Sequence, residues 1–494
     1  MDSFTKNSGM SLGQKALSGF SWTLFSNISL KVVTLAVGIV LARILTPEDF
    51  GLIAMLIVFF EVSQSLVDSG FSQALIREER ITERDKSTTF FLNVIIAIFL
   101  YIILWLTAPK IANFYNNQML VELCRFMGLS IIFQSFTLVQ RASLTHELQF
   151  KKITKINIST SIISGAIGII LALKGFGVWS LAYKYVALSL GLSISYYALN
   201  PWLPRYFINK TSFKKLFGFG SKLLAAGILN KVYQNIYKLI IGKYFTATTL
   251  GLYTQSKLYV NQVTQSAVST LQTVTYPVLS KAKEEPERLR EAYRRIIMAS
   301  SYVIFPLTMG LAVMAKPLIL TFVGEKWVEA VPFLQLICLS GALYHLHSIN
   351  LNILKVMGRS DLFLKLEIIK KINITIAIII GIQFGIWGLL IGSVISSYIA
   401  LFLNMYYTRK FINYSYKDQF GDLLPILGMS LPMLLIMYGF LQLTNFPHFI
   451  ELFLGTGIGV LVYLSVTLVA KSAALGHILN LLSTRYPKLK QVKV

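Results

Sequence analysis

The chain reads as an all-α polytopic membrane protein of fourteen transmembrane helices, two six-helix lobes in parallel repeat plus two appended helices. Three observations carry this. Apolar residues of the AVILMFWYC set make up 55% of the 494 residues and charged residues 14%, little more than half the roughly 25% charge of a soluble domain. Stretches of about 20 apolar residues, the length that crosses a bilayer, follow one another almost to the end. Lysine and arginine collect in every second connection between them, as the positive-inside rule requires.

The opening MDSFTKNSGMSLGQKALSGF has no short apolar core followed by a small-residue cleavage site, so no removable signal peptide is expected. Spans then fall at 17–43, 49–75, 88–108, 119–142, 156–174, 177–199, 214–243, 250–279, 294–315, 329–354, 363–382, 385–408, 422–443 and 448–470. No connection is long enough for a folded extramembrane domain. The longest polar piece, 281–295 (KAKEEPERLREAYRR), reads as a cytosolic helical turn leading into the ninth span.

With the N-terminus inside, the cytoplasmic connections carry Arg77, Arg84 and Lys86, then Arg141, Lys151 and Lys152, then Arg205, Lys210, Lys214 and Lys215. Further along they carry Lys281, Arg290, Arg294 and Arg295, then Lys355 and Arg359, then Arg409 and Lys410. The opposite loops hold only Arg43, Lys110, Lys174, Lys243, Lys316 and Lys326. Both termini are therefore expected in the cytoplasm. The net charge of +24 is topological, and nucleic acid is not needed to explain it. Two cysteines, Cys124 and Cys338, both in apolar runs, exclude a disulfide framework and a cysteine-based zinc site.

The chain also repeats. KVVTLAVGIVLARILTPEDFGL (31–52) lies ungapped on KVYQNIYKLIIGKYFTATTLGL (231–252), and FGVW (176–179) lies on FGIW (384–387). This predicts lobes at 1–212 and 213–413, with the last two helices and a basic tail at 414–494. Six helices per copy give both copies the same orientation, the parallel arrangement around a central site.

Polar residues within spans are costly and need a bundle interior or a watery cavity. In the first span Thr23, Asn27, Lys31 and Thr34 recur at helical spacing. In the seventh, Asn230, Lys231, Gln234, Asn235 and Lys238 do so, and in the eighth Gln255, Tyr259, Gln262, Ser266, Ser269, Thr273 and Tyr276. One reading is the wall of a watery cavity; the other is polar glue between helices. Glu61, Gln64, Ser65 and Asp68 share a face of the second span. Glu61 and Asp68 are candidates for coupling to a proton or sodium gradient, or for a structural pair with a lysine such as Lys31. Arg125 and Lys257 lie toward outer ends, where snorkelling explains them. His345 and His347 point to different faces and do not make a metal pair. Glu48 and Asp49, after Pro47, read as a helix N-terminus. No G-x-x-x-x-G-K-[S/T] phosphate loop occurs, since Gly242–Lys243 is followed by Tyr244. No carboxylate cluster at a membrane face suggests an enzyme.

The turn RILTPEDFGL (43–52) and the segment VDSGFSQALIR (67–77), in a chain of six plus six plus two spans, resemble the Wzx-type polysaccharide flippases. These belong to the multidrug/oligosaccharidyl-lipid/polysaccharide exporter superfamily, and the resemblance is nearest its teichuronic-acid and colanic-acid-type branch. It rests on Leu45, Pro47, Phe50 and Gly51 in the first motif and Gly70, Ala74, Leu75 and Ile76 in the second. The resemblance implies a V-shaped, two-lobed transporter that turns over an undecaprenyl-pyrophosphate-linked oligosaccharide, beside polysaccharide polymerase or assembly proteins. It implies no cofactor. A multidrug-exporter variant and a non-transporting scaffold remain open. For a pyrophosphate passenger the pathway should offer cations, and Lys31 and Lys231, matched across the repeat, are the first candidates. Lys238 and Arg125 are additions; the alternative is that Lys31 only neutralises Glu61 or Asp68 and Lys231 only caps a polar helix contact.

Overall fold

The computed structural model describes residues 12–476, apart from 69, 79–80 and 473. Side chains are described there except at 12–18, 20, 219–223, 225–226, 266–267 and 269–274. The described chain is helical throughout and falls into two compact units, one ending at Gly251 and the other beginning at Leu252.

The first unit holds α1 (Leu12–Ile44), α2 (Pro47–Asp68), α3 (Phe71–Arg77), α4 (Glu83–Tyr115) and α5 (Met119–Ser135). Then come α6 (Leu138–His146), α7 (Phe150–Leu173), α8 (Val178–Leu199), α9 (Lys210–Tyr244) and the first turn of α10 (Ala247–Lys281). The second unit takes the rest of α10 with α11 (Pro286–Val313), α12 (Ala315–Phe322), α13 (Ala330–Gly341) and α14 (Tyr344–Val356). It is completed by α15 (Ser360–Gly381), α16 (Gly385–Ile412), α17 (Tyr416–Leu443) and α18 (His448–Val469).

Each expected span coincides with one helix or with two helices in tandem. The second breaks between α2 and α3, where Gly70 takes φ 71° and the Asp68 carboxylate accepts from Ser72 N at 3.2 Å. The fourth breaks between α5 and α6 and the tenth between α13 and α14. Ten stretches among the described residues are long and apolar enough to cross a membrane, and one of them, Ser360–Ile412, contains two expected spans. The described parts of α8, α9 and α10 fall outside that set. Lys184 interrupts the first, and runs of lysine, amide and hydroxyl residues lower the apolarity of the other two.

Helix starts follow from their caps. Thr82 and Asp85 form a reciprocal capping box at α4, Ser415 and Asp418 another at α17, and Asn209 accepts from Thr211 N and Ser212 N at α9. Pro286 opens α11, where its missing N–H is not needed. Between helices, small residues permit close approach, as usual inside membranes. Gly165 of α7 lies under Val37 of α1, and Gly168 lies under the aliphatic stem of Lys184.

The linker between α8 and α9 is strapped to the start of α4. Trp202 Nε1 donates to Glu83 Oε2 at 2.7 Å, Arg205 N to Ser87 Oγ at 3.2 Å, and Asn209 N to Thr88 Oγ1 at 3.0 Å. Lys215 of α9 reaches Glu78 at 2.6 Å and Asp85 at 4.0 Å. These ties, with the packing of α9 on α2, α3 and α4, place α9 in the first packing unit although the sequence repeat starts a new copy at 213. Packing and repeat thus divide the chain at different points.

Inside the second unit, α11 packs on α17 around Tyr293, Ile297, Phe305, Met405, Tyr414 and Met433. Its polar ties are specific. Arg294 holds both oxygens of Asp422 at 2.7 Å, and the Tyr414 hydroxyl donates to Asp422. Arg290 pairs with Asp418 at 3.2 Å.

Candidate functional site

Polar side chains one helical turn apart on α9 meet a carboxylate on α2, because both helices carry their polar stripes on the faces they share. Lys231 Nζ lies 3.3 Å from Glu61 Oε2, and Asn235 Nδ2 donates to the same oxygen at 3.0 Å. Asn235 also donates to the backbone oxygen of Lys231 at 3.0 Å, the i−4 position, so the amide is fixed by its own helix. One turn further along α2, Gln64 Nε2 donates to the Tyr185 hydroxyl of α8 at 3.0 Å. Burial is uneven. Asn235 is 3% exposed, whereas the Lys231 and Glu61 side chains keep 42% and 29% of their surface. The cation is therefore held on one side and open on the other, which leaves room for a second anion.

Glu61 thus pairs with Lys231, whereas the sequence offered Lys31 of α1 as one candidate partner. Lys31 is half-buried on α1, and Asn27, one turn before it, is exposed. Asp68 is used locally, through its bond to Ser72 N. On α9, Gln234 is exposed and Lys238 half-buried. Arg125 of α5 lays its guanidinium 4.1 Å from the Trp105 ring centroid and donates from Nε to the Trp105 backbone oxygen at 3.5 Å. That is a stacked cation on α4, away from the Glu61 cluster in sequence and in contacts.

In the second unit, Gln255 donates to the Tyr259 hydroxyl at 2.8 Å, so these two stripe residues satisfy each other inside the packing. Gln262 is half-buried. Ser266, Ser269 and Thr273 lie outside the described side chains. The histidines serve separate networks: His345 Nε2 meets Ser301 Oγ at 2.8 Å, and His347 lies between Ser397 and Asn404.

Lys184 of α8 belongs to this inventory and was passed over in the sequence, although a lone lysine within LAYKYVAL is a visible signal. Its stem packs on Gly168, and it has no ion partner among the described residues.

At the opposite end of α2, Thr46 Oγ1 donates to Asp49 Oδ2 at 2.8 Å and accepts from Asp49 N at 3.3 Å, which confirms the helix N-terminus read from Pro47. Glu48 and Asp49 border a crevice of about 330 Å³ with Asn117, Phe176 and Trp179.

The chain is 27% identical over 354 residues to the teichuronic acid biosynthesis protein TuaB of Bacillus subtilis (strain 168), covering 71% of this chain and 73% of that one. It is 25% identical over 437 residues to the lipopolysaccharide biosynthesis protein WzxC of Escherichia coli (strain K12), covering 87% and 88%. In fold it is similar to the lipid II flippase MurJ in its inward closed conformation, with a TM-score of 0.74 at 15% identity over 92% of this chain and 98% of that one. The family model described as "Polysaccharide biosynthesis protein" matches residues 40–332, a span that contains Glu61, Lys231 and Asn235. With more than half of its length inside that match, the chain belongs to the polysaccharide biosynthesis protein family.

Proposed function

We infer that this protein flips an undecaprenyl-pyrophosphate-linked oligosaccharide repeat unit across the bacterial cytoplasmic membrane by alternating access, for surface polysaccharide biosynthesis. The observation that carries the reading is the half-open Lys231–Glu61–Asn235 cluster, a fixed cation inside the membrane with a carboxylate partner that another anion can replace. A pyrophosphate needs such cations to enter a medium where an unpaired charge is expensive. Lysine suits this, as a compact and mobile ammonium that follows a phosphate without a fixed fork geometry.

In this mechanism the pyrophosphate takes Lys231 from Glu61, while Lys31, Lys238 and Lys184 supply further positive charge along the path. Arg125 guards the outer interface. Asn27, Gln234, Tyr259 and Gln262 offer hydrogen bonds to sugar hydroxyls, and the polyprenyl tail stays among the membrane lipids. Glu61, deprived of Lys231, then needs another cation, and a proton or a sodium ion from the gradient fills that need. Asp68, committed to capping α3, is the weaker coupling candidate. The chain itself works as a transporter and not as an enzyme.

The architecture proposed for this task is fourteen crossings as two six-helix lobes, 1–212 and 213–413, with the last two helices in 414–494 and both termini in the cytoplasm. The loop charges and the offset-200 repeat support it. Polymerase and assembly proteins are the expected partners for the delivered glycan. The test is a deletion strain without paralogues, in which lipid-linked repeat units should accumulate on the cytoplasmic leaflet. Normal surface glycan in that strain overturns the proposal.

A further inference from the structure

The first turns of α2 and α10 cross with their backbones in contact, and the crossing is reciprocal. A Cβ placed on Gly51 would fall inside the carbonyl of Ala247, and one placed on Gly251 inside the carbonyl of Pro47. Gly51 and Gly251 stand 200 residues apart, as do Pro47 and Ala247. Each glycine thus meets the residue equivalent to its partner's neighbour, the pattern of a local two-fold contact. The caps repeat as well: Thr46 closes the first turn of α2 through Asp49, and Thr246 closes that of α10 by accepting from Thr249 N at 3.1 Å.

Behind the crossing the packing is equally close. A Cβ on Gly242 of α9 would lie 2.8 Å from the Tyr115 ring and 3.2 Å from Met55 Cγ, and Lys243 Nζ donates to the Phe114 oxygen at 2.7 Å. The boundary between the two packing units falls at Gly251 itself.

We propose that this crossing is a backbone latch at the outer end of the pathway, closed in the state described here and opened in each transport cycle. The proposal rests on the orientation and the transport reading given above. Two glycines make a latch that is tight without being sealed by side chains: no Cβ intervenes, so the first turns meet closely, and they separate without unpacking an apolar plug. Any side chain at either position wedges the two turns apart and favours the open state. Gln234, ten residues from the end of α9 and about 15 Å inward along a helix of 1.5 Å rise per residue, then becomes reachable from outside.

The test uses the full-length protein carrying Gln234→Cys, expressed in spheroplasts and treated with a membrane-impermeant maleimide. The native Cys124 and Cys338 are buried, and the parent protein measures their background. Gly51→Ala should raise the labelling rate at position 234 several-fold and Gly51→Ala/Gly251→Ala further. Gly38→Ala, where a Cβ meets nothing within 4 Å, should leave the rate unchanged. An unchanged rate in Gly51→Ala at normal membrane abundance overturns the latch. Should the glycine variants fail to accumulate, Thr46→Ala/Thr246→Ala loosens both turns without adding bulk; a raised rate supports the latch and an unchanged one overturns it. Labelling needs no substrate, so the outcome separates from the transport reading. Export lost on deletion with labelling unmoved removes the latch alone, whereas labelling moved with export normal on deletion removes the substrate reading alone.

Discussion

At the scale of single residues, the ion pair between Lys231 and Glu61 and the transport role proposed for it can be pulled apart by mutation. A buried carboxylate left without its cation costs about 3–5 kcal/mol, while a fully exposed pair is worth about 1 kcal/mol or less. With 42% and 29% of the two side chains exposed, Lys231→Ala should cost about 1–3 kcal/mol, visible as a lowered Tm in detergent. Adding Glu61→Gln should recover most of that stability but none of the glycan export, because the substrate cation is still missing. Lys231→Arg should keep both. Export restored along with stability in the double variant would reduce the pair to a structural contact. The stripes containing Lys231, Asn235 and Glu61 were legible because intramembrane polar residues at helical spacing stand out against apolar neighbours. Which lysine meets Glu61 was not legible. That depends on α9 packing across α2, a contact between positions 170 residues apart, and no local pattern encodes it.

Among the elements, the strap between α8 and α9 explains why α9 packs with the helices that precede it. Asp85 is central there. Burial alone would raise its pKa, but the hydrogen bonds from Ser212 and Thr82 and the charge of Lys215 outweigh burial and hold it below the ordinary 3.8. A carboxyl whose pKa is lower in the folded state contributes stability above its unfolded value and loses it as pH falls through the folded value. The wild-type Tm should therefore drop between pH 5 and pH 3. Asp85→Asn should be less stable at pH 7, by about 1 kcal/mol for the weakened α4 cap, and its Tm should change less over that acid range. Equal acid sensitivity in both proteins would contradict the role given to Asp85. Helix positions were readable from apolar length, while the Thr82–Asp85 and Ser415–Asp418 caps went unread although their spacing is a visible signal. The breaks inside the second, fourth and tenth spans were not legible, since the few polar and small residues there (Asp68 and Gly70, Gln134 and Ser135, Ser340 and Gly341) lie inside stretches whose apolar length reads as one span.

For the whole molecule, the loop charges and the repeat make one joint statement about topology. Reporter fusions at both ends, with alkaline phosphatase active only outside and a fluorescent protein folding only inside, should both report the cytoplasm. Opposite sides would break the even crossing number and the parallel repeat together. The membrane class and the all-helical character followed from composition and span length, which depend on sequence alone. The packing boundary at Gly251 did not, because it depends on ties from 202–215 to α4, between segments far apart in sequence. The central claim remains movement of a lipid-linked glycan without ATP. It is tested most directly with the purified protein in sealed vesicles carrying a polyprenyl-pyrophosphate oligosaccharide on both leaflets, with a proton or sodium gradient applied. A glycosidase added outside should consume about half of the glycan in protein-free vesicles and, with no ATP present, nearly all of it when the protein is active. Digestion stopping at half with the wild-type protein, under either gradient, would contradict the account.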